Sequence, residues 1–231
     1  MAERLVVVTG GTRGIGRAIA QRFEAGGDRV LAVGRAQCDV TDEAAVAAFF
    51  ESAGPVDVLV NNAGVATSAP LARTTLASWH EQLEVNATGA FLCTRAVLEG
   101  MRELDRGRIV TVASTAGRAG APYTAAHSAS KHAAVGLMRA VAAELAGSAI
   151  TANAVCPGFV RTDMTRASVE HIAATTGRSE AAAEAALAAA SPLGRLLEPA
   201  EVAAAVAFLA SPEAGAINGQ TLILDGGGIQ T

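Results

Sequence analysis

Within residues 111–131, TVASTAGRAGAPYTAAHSASK, a hydroxyl at Ser114, an imidazole at His127 and an amine at Lys131 fall in one short segment. The apolar run 109–112 reads as a buried strand, and from about residue 128 onward apolar residues recur at helical spacing. The strand therefore delivers Ser114 to its carboxyl end. His127 and Lys131, four apart, share one face of the helix that follows. A serine, an acid/base side chain and an ammonium converging at a strand's carboxyl edge suit proton transfer to or from a substrate oxygen. The same residue types also fit a turn serine, a satisfied histidine and a solvated lysine. The elements that position them must decide between these.

Residues 5–8 form a short β-branched run followed at once by TGGTRGIG at 9–16, after which Ile15, Ala18, Ile19 and Phe23 keep helical spacing until Gly26 and Gly27. This is strand, glycine turn, helix. Gly10, Gly14 and Gly16 permit a tight turn, close approach of backbone to a phosphate and close helix-on-strand packing, and the helix N-terminus favours the anion. Residues 29–33 read as a second strand followed by Arg35, where a dinucleotide fold meets the adenosine ribose. An acid there would hydrogen-bond the ribose 2′-OH. Arg35, with Arg13, suits a 2′-phosphate instead, so NADP(H) is favoured over NAD(H). Each arginine alone would also fit a solvated surface charge.

Only Ala36, Gln37 and Cys38 separate Arg35 from Asp39 in DVTD, which leads into a helix over 43–53. Adjacent parallel strands need a crossover of about a dozen residues, so no helix and further strand fit between Val33 and Asp42. A strand over 56–60 then runs into Asn61, Asn62, Ala63 and Gly64, small residues against which a cofactor can lie. A long helical period over 79–102 encloses Asn86, which among apolar neighbours needs a partner. Residues 150–155 read as a strand leading to Pro157, Gly158 and Thr162 at the same sheet edge. An Ala-rich stretch, 164–190, favours helix and is read as part of a helical substrate lid at about 160–195. A helix at 198–210 and a strand at 221–224 complete one α/β domain over 1–231, with a doubly wound Rossmann-type parallel sheet.

Composition narrows the function classes. A net charge of -4 offers no basic footprint for nucleic acid and no polybasic membrane patch, and 3% aromatic content makes stacking platforms scarce. Cys38, Cys93 and Cys156 are widely separated with no CxxC spacing, and the four histidines show no metal-ligand spacing. The opening MAERLVVVTGG is too short an apolar run for a signal peptide, and no stretch of about 18 apolar residues occurs. The expectation is a cytoplasmic protein with no metal, nucleic-acid or membrane partner.

Taken together, TGGTRGIG at 9–16, DVTD at 39–42, NNAG at 61–64, Asn86, Ser114, SASK at 128–131, PGFVRT at 157–162 and LDGG at 224–227 resemble the short-chain dehydrogenase/reductase family, in its order and over essentially the whole chain. The resemblance is nearest the 3-oxoacyl thioester and polyketide ketoreductases. It implies hydride transfer between NAD(P)(H) and a small-molecule ketone or secondary alcohol, and a homotetramer. By position, Ser114 would hydrogen-bond the substrate oxygen, Lys131 would hold the nicotinamide ribose and lower a neighbour's pKa, and Asn86 would anchor a proton-relay water. Gly10, Thr12, Arg13, Ile15, Asn62, Gly64, Lys131 and Thr162 fall where family members contact cofactor, and Asp39 would approach adenine in a loop of usual length. Two features depart from the pattern. The family's acid/base is a tyrosine four residues before the lysine, and here that position is His127; Tyr123 matches nothing. The segment between the second strand and DVTD is also shorter than the resemblance implies, so the usual third strand and its preceding helix are expected to be missing. Two functions remain open: an NADP(H)-dependent carbonyl reductase or alcohol dehydrogenase with altered proton transfer, or a non-catalytic nucleotide-binding partner of an active paralogue.

Overall fold

Apolar residues alternate with a period of two through the central strands, and that alternation decides which layer each side chain enters. The computed structural model of the chain describes residues 3–230. In β1, Leu5–Thr9, Leu5 and Val7 join one core while Val6 and Val8 join another. Strands β3, Val58–Asn61, β4, Gly107–Val112, and β5, Ile150–Pro157, divide likewise: Leu59, Ile109 and Cys156 enter the first core, Val60, Val110 and Val155 the second. A sheet buried on both faces needs helices on both. Helices α2, Glu43–Ala53, α4, Gly89–Glu103, and α5, Ala125–Glu144, close the first core through Phe50, Cys93, Met101 and Met138. Helices α1, Gly14–Ala25, and α8, Pro199–Leu209, close the second through Ile19, Phe23, Val202 and Val206.

Among the described residues, six parallel strands run in the order β2-β1-β3-β4-β5-β6, with β2, Arg29–Val33, and β6, Thr221–Leu224, at the edges. This is the doubly wound arrangement expected from the sequence. The order reverses direction at β1, and in such sheets ligands bind beyond the carboxyl ends of the strands at that point. Residues 34–42 make a compact connection rather than a crossover. The Gln37 and Cys38 amides donate to the Gly34 carbonyl, Cys38 and Val40 are buried, and Asp42 caps α2 by accepting from Ala44 and Ala45.

Several boundaries differ from the expected ones for local reasons. The strand read at 56–60 is β3, Val58–Asn61; just before it the Asp57 backbone still bonds to Leu5 and Arg108, while its carboxylate is engaged by the Leu5 amide at 2.8 Å and by Arg106 at 2.6 Å. The helix read over 79–102 is α3, Leu76–Leu83, a π turn, Glu84–Thr88, and α4 in succession. The stretch 164–190 is two helices, α6, Asp163–Thr176, and α7, Glu180–Ala188, parted by Gly177 at φ 70°. Helix α5 starts three residues before the expected start, at Ala125, so His127 lies within its first turn.

Candidate functional site

The carboxyl ends of β1, β3, β4 and β5 meet in one region, and each delivers its part through a different local device. Ser114 lies two residues past β4 and caps the following turn, its Oγ accepting from the Ala116 amide at 3.1 Å. That turn packs on α5 because Gly117 has no side chain: a Cβ there would stand 2.8 Å from the Lys131 carbonyl oxygen. Lys131, buried on α5, donates through Nζ to the Val112 carbonyl at 3.0 Å, which places the amine at the end of Ser114's strand. Burial lowers its pKa to about 8, with Cys156 opposing the shift. An Nζ of this kind retains donors for a further oxygen.

His127 lies one helical turn before Lys131. Burial first, and the Lys131 charge second, lower its pKa to about 4, against a favourable contact with the Val65 backbone carbonyl. Its Nδ1 is buried and makes no hydrogen bond among the described residues. The ring is therefore neutral near pH 7. The like-charge effect expected from Lys131 is present, but desolvation outweighs it.

Asn86 occupies the π turn, a distortion that often marks functional positions in helices. Its carboxamide is fully engaged: Oδ1 accepts from the Val65 amide, and Nδ2 donates to the Val65 carbonyl and to Ser130 Oγ, each at 2.9 Å. The side chain thus ties the loop after β3 to α5. Ser130 in turn donates to the His127 carbonyl at 2.9 Å. Gly64 lets that loop lie close, since a Cβ there would stand 3.1 Å from Asn86 Oδ1 and 3.5 Å from Lys131 Nζ.

At the sheet's reversal point the glycine loop is held from both sides. Asn62 Nδ2 donates to the carbonyls of Thr9 and Gly10 at 2.9 and 3.0 Å, and Thr9 Oγ1 accepts from the Asn62 and Ala63 amides. A Cβ on Gly16 would stand 2.2 Å from the Gly10 carbonyl oxygen, so α1 starts as near the loop as a backbone can. Gly10 and Gly14 take left-handed φ values of 62° and 52°. Arg13 occupies the N-cap of α1 with no side-chain cap, Ile15 is half-buried behind it, and no acid lies in the first turn, an arrangement suited to an anion. Thr162, beyond Pro157 and Gly158, caps α6, and its methyl would be 3.4 Å from a Cβ on Gly14. Thr12 touches the Gly34 position, a Cβ there standing 3.2 Å away, so Arg13 and Arg35 leave adjacent loops. Arg35 is not free: its Nε donates to Asp39 Oδ2 at 2.9 Å.

The expected residues thus gather in two adjoining groups, Ser114, Asn86, His127 and Lys131 in one, and Gly10 to Gly16, Asn62 to Gly64, Pro157, Gly158 and Thr162 in the other. Arg35 and Asp39 flank the second across Thr12. Sequence reading missed Ser130 and Val65. It also missed a pocket of about 80 Å³ beside Ala126, lined by Thr67, Ser78, Gln82 and Tyr123, with Gln82 buried and bonded to Thr67 and Tyr123 held at φ 67°. Only the buried serine inside SASK offered a signal, through its place beside Lys131. Among the described residues no cluster of His, Cys, Asp or Glu could hold a metal ion.

A doubly wound sheet with a glycine loop at its reversal point and a serine–lysine pair at the neighbouring strand ends defines a dinucleotide-dependent oxidoreductase. A family model described as enoyl-(acyl carrier protein) reductase matches residues 32–228. A putative ketoacyl reductase of Streptomyces coelicolor is 41% identical over 252 positions, covering 97% of this chain and 97% of that protein. The 3-oxoacyl-(acyl-carrier-protein) reductase MabA of Mycobacterium tuberculosis is 40% identical over 239 positions, covering 97% and 92%. The solved structure of a variant actinorhodin polyketide ketoreductase with NADPH superposes with a TM-score of 0.92 at 39% identity, covering 97% of each chain. The chain belongs to the short-chain dehydrogenase/reductase family, whose members are enzymes acting on CH–OH groups with NAD(P).

Proposed function

We propose that this protein reduces a ketone, a 3-oxoacyl thioester or polyketide chain, with NADPH, and that His127 stands in the acid/base position. The observation that carries the reading is Lys131 Nζ held at 3.0 Å from the Val112 carbonyl, beside Ser114 at the end of β4. A hydroxyl and an ammonium side by side suit the developing oxyanion of a carbonyl. Bound at the glycine loop, the reduced nicotinamide would supply the hydride. Gly10, Thr12, Arg13, Gly14, Ile15 and Gly16 would hold the dinucleotide's phosphates, Lys131 would hold its nicotinamide ribose, and Asn62, Ala63, Gly64, Pro157, Gly158 and Thr162 would line the rest of its site. Arg35 and Arg13 favour the 2′-phosphate. The named relatives and the NADPH-bound neighbour support the same substrate class and cofactor.

Ser114 hydrogen-bonds the carbonyl oxygen and Lys131 holds positive charge near it. His127 is the slow step's residue: a neutral, largely buried imidazole with a pKa of about 4 is a poor proton donor at neutrality. Helices α6 and α7 form the substrate lid, and the active unit is a homotetramer in the cytoplasm. The three cysteines are unpaired, which suits a reducing compartment.

The test compares the parent with His127→Tyr on β-keto thioesters and small ketones with NADPH, at several pH values. The parent should turn over slowly and His127→Tyr should gain about 10²-fold or more, the usual contribution of positioned proton transfer. The depressed His127 pKa also favours a second reading, a non-catalytic nucleotide-binding partner. No turnover by either protein, with NADPH still bound, would select it. Brisk parent turnover lost on His127→Tyr would instead make His127 a working catalyst.

A further inference from the structure

The short connection after β2 brings into contact two residues with opposite interests in a dinucleotide. Arg35 Nε donates to Asp39 Oδ2 at 2.9 Å, and the Arg35 side chain is otherwise solvent-exposed, at 87%. Asp39 is much less free. Its Oδ1 accepts from the Thr41 amide at 3.1 Å and from Thr41 Oγ1 at 2.7 Å. These two bonds, followed by Arg35, hold its carboxyl below the usual aspartate range, so it is ionised at neutrality. Beyond it, Val40 is wedged against α4, where a Cβ on Gly89 would stand 2.7 Å from a Val40 methyl. The carboxylate is therefore anchored and the guanidinium is the mobile partner. The Gly34 to Thr12 contact places both beside the mouth of the glycine loop.

We infer that Asp39 is a specificity-determining residue that competes with the cofactor's 2′-phosphate for Arg35 and so narrows the preference for NADPH over NADH. The inference rests on the reading that residues 10–16 hold the dinucleotide. With NADH the Arg35–Asp39 pair stays closed and nothing is given up. With NADPH the guanidinium must exchange a fixed carboxylate for the phosphate, and that carboxylate remains nearby as a like charge. The net gain from Arg35 is then a difference between two exposed ion pairs rather than the whole of one. Had the connection been longer, the aspartate would not have been tied to the residue four positions earlier.

The test is calorimetric titration of NADPH and NADH into the parent, Asp39→Asn, Arg35→Ala and the double variant, a measurement that needs no turnover. Asparagine keeps the Oδ1 acceptor for Thr41 and removes only the charge and the pairing, and thermal midpoints check that each variant folds. Asp39→Asn should tighten NADPH by about three- to ten-fold, consistent with releasing one exposed ion pair and one like-charge contact. NADH should change by less than about two-fold, within the ordinary range for surface substitutions. In the Arg35→Ala background the gain should largely vanish. NADPH affinity unchanged or weakened by Asp39→Asn would overturn the inference while leaving the cofactor reading intact. A folded parent that binds neither dinucleotide would overturn both.

Discussion

An imidazole in the first turn of α5 sits where burial and a neighbouring ammonium both oppose its charge, and stability should record this as well as activity. The His127 pKa is about 4 in the folded chain against an ordinary value of 6.5. The folded state therefore binds fewer protons than the unfolded state between those values, and stability falls as pH falls. The contribution is complete above about pH 6.5, is lost by about pH 4, and amounts to on the order of 3 kcal/mol. Urea unfolding of the parent and of His127→Gln across that window should show a shallower acid limb in the variant; parallel curves would refute the assignment. Ser114 makes a different prediction. On the proposed function its Oγ would hydrogen-bond the substrate oxygen, so Ser114→Ala should lower turnover by about 10²–10³-fold with NADPH affinity unchanged by titration, and an equal loss of binding would place Ser114 on the cofactor instead. Both residues were legible in the sequence, Ser114 from its place after an apolar run and His127 from its spacing to Lys131. Val65 was not, because it acts through its backbone N–H and C=O, which every residue but proline shares. Ser130 was less hidden, since it stands beside Lys131 in SASK, but a small hydroxyl inside a helix has no period of its own.

Elements position these residues by close approach, and glycines set how close. At Gly16 the limit is the Gly10 carbonyl and the Asn62 amide, 2.2 and 2.4 Å from where a Cβ would stand. Gly16→Ala must therefore push α1 away from the loop that Asn62 holds. A loss of about 1–3 kcal/mol in stability, the usual result of overpacking, should accompany at least a ten-fold weaker NADPH, read by thermal melts and by titration. Unchanged affinity would mean that the loop does not receive the dinucleotide. The glycine pattern was readable from strand, turn and helix in succession, but the reason for Gly16 was not, because its obstacle comes from Asn62, 46 positions away. The π turn at Glu84–Thr88 was hidden for a related reason: Asn86 within it is bonded to Val65, 21 positions away in the loop after β3.

At the scale of the whole molecule, topology was legible because connection lengths limit what can pair. Residues 34–42 are too few for a crossover, and β2 is accordingly an edge strand. The alignment with the Streptomyces coelicolor relative extends over 252 positions against 231 residues here, so that protein carries segments absent from this chain. Assembly was less legible, since helical period shows that a face is apolar and not what covers it. The structure leaves Phe91 of α4 42% exposed in one layer and Phe208 of α8 48% exposed in the other, with Leu222 of β6 at 37%. Arg95 lies over the Phe91 ring at 5.0 Å, and α4 and α8 flank opposite faces of the sheet. The homotetramer that the family resemblance implies should sediment at micromolar concentration as a species about four times the 23.2 kDa chain, with the exposed Phe91 and Phe208 on opposite layers as its candidate contacts. Phe208→Asp, which places a charge in one face only, should stop assembly at the dimer while leaving the monomer fold and the α4 face unchanged. A parent that sediments as a monomer would defeat the tetramer, and a Phe208→Asp variant that remains tetrameric would move the second interface away from α8.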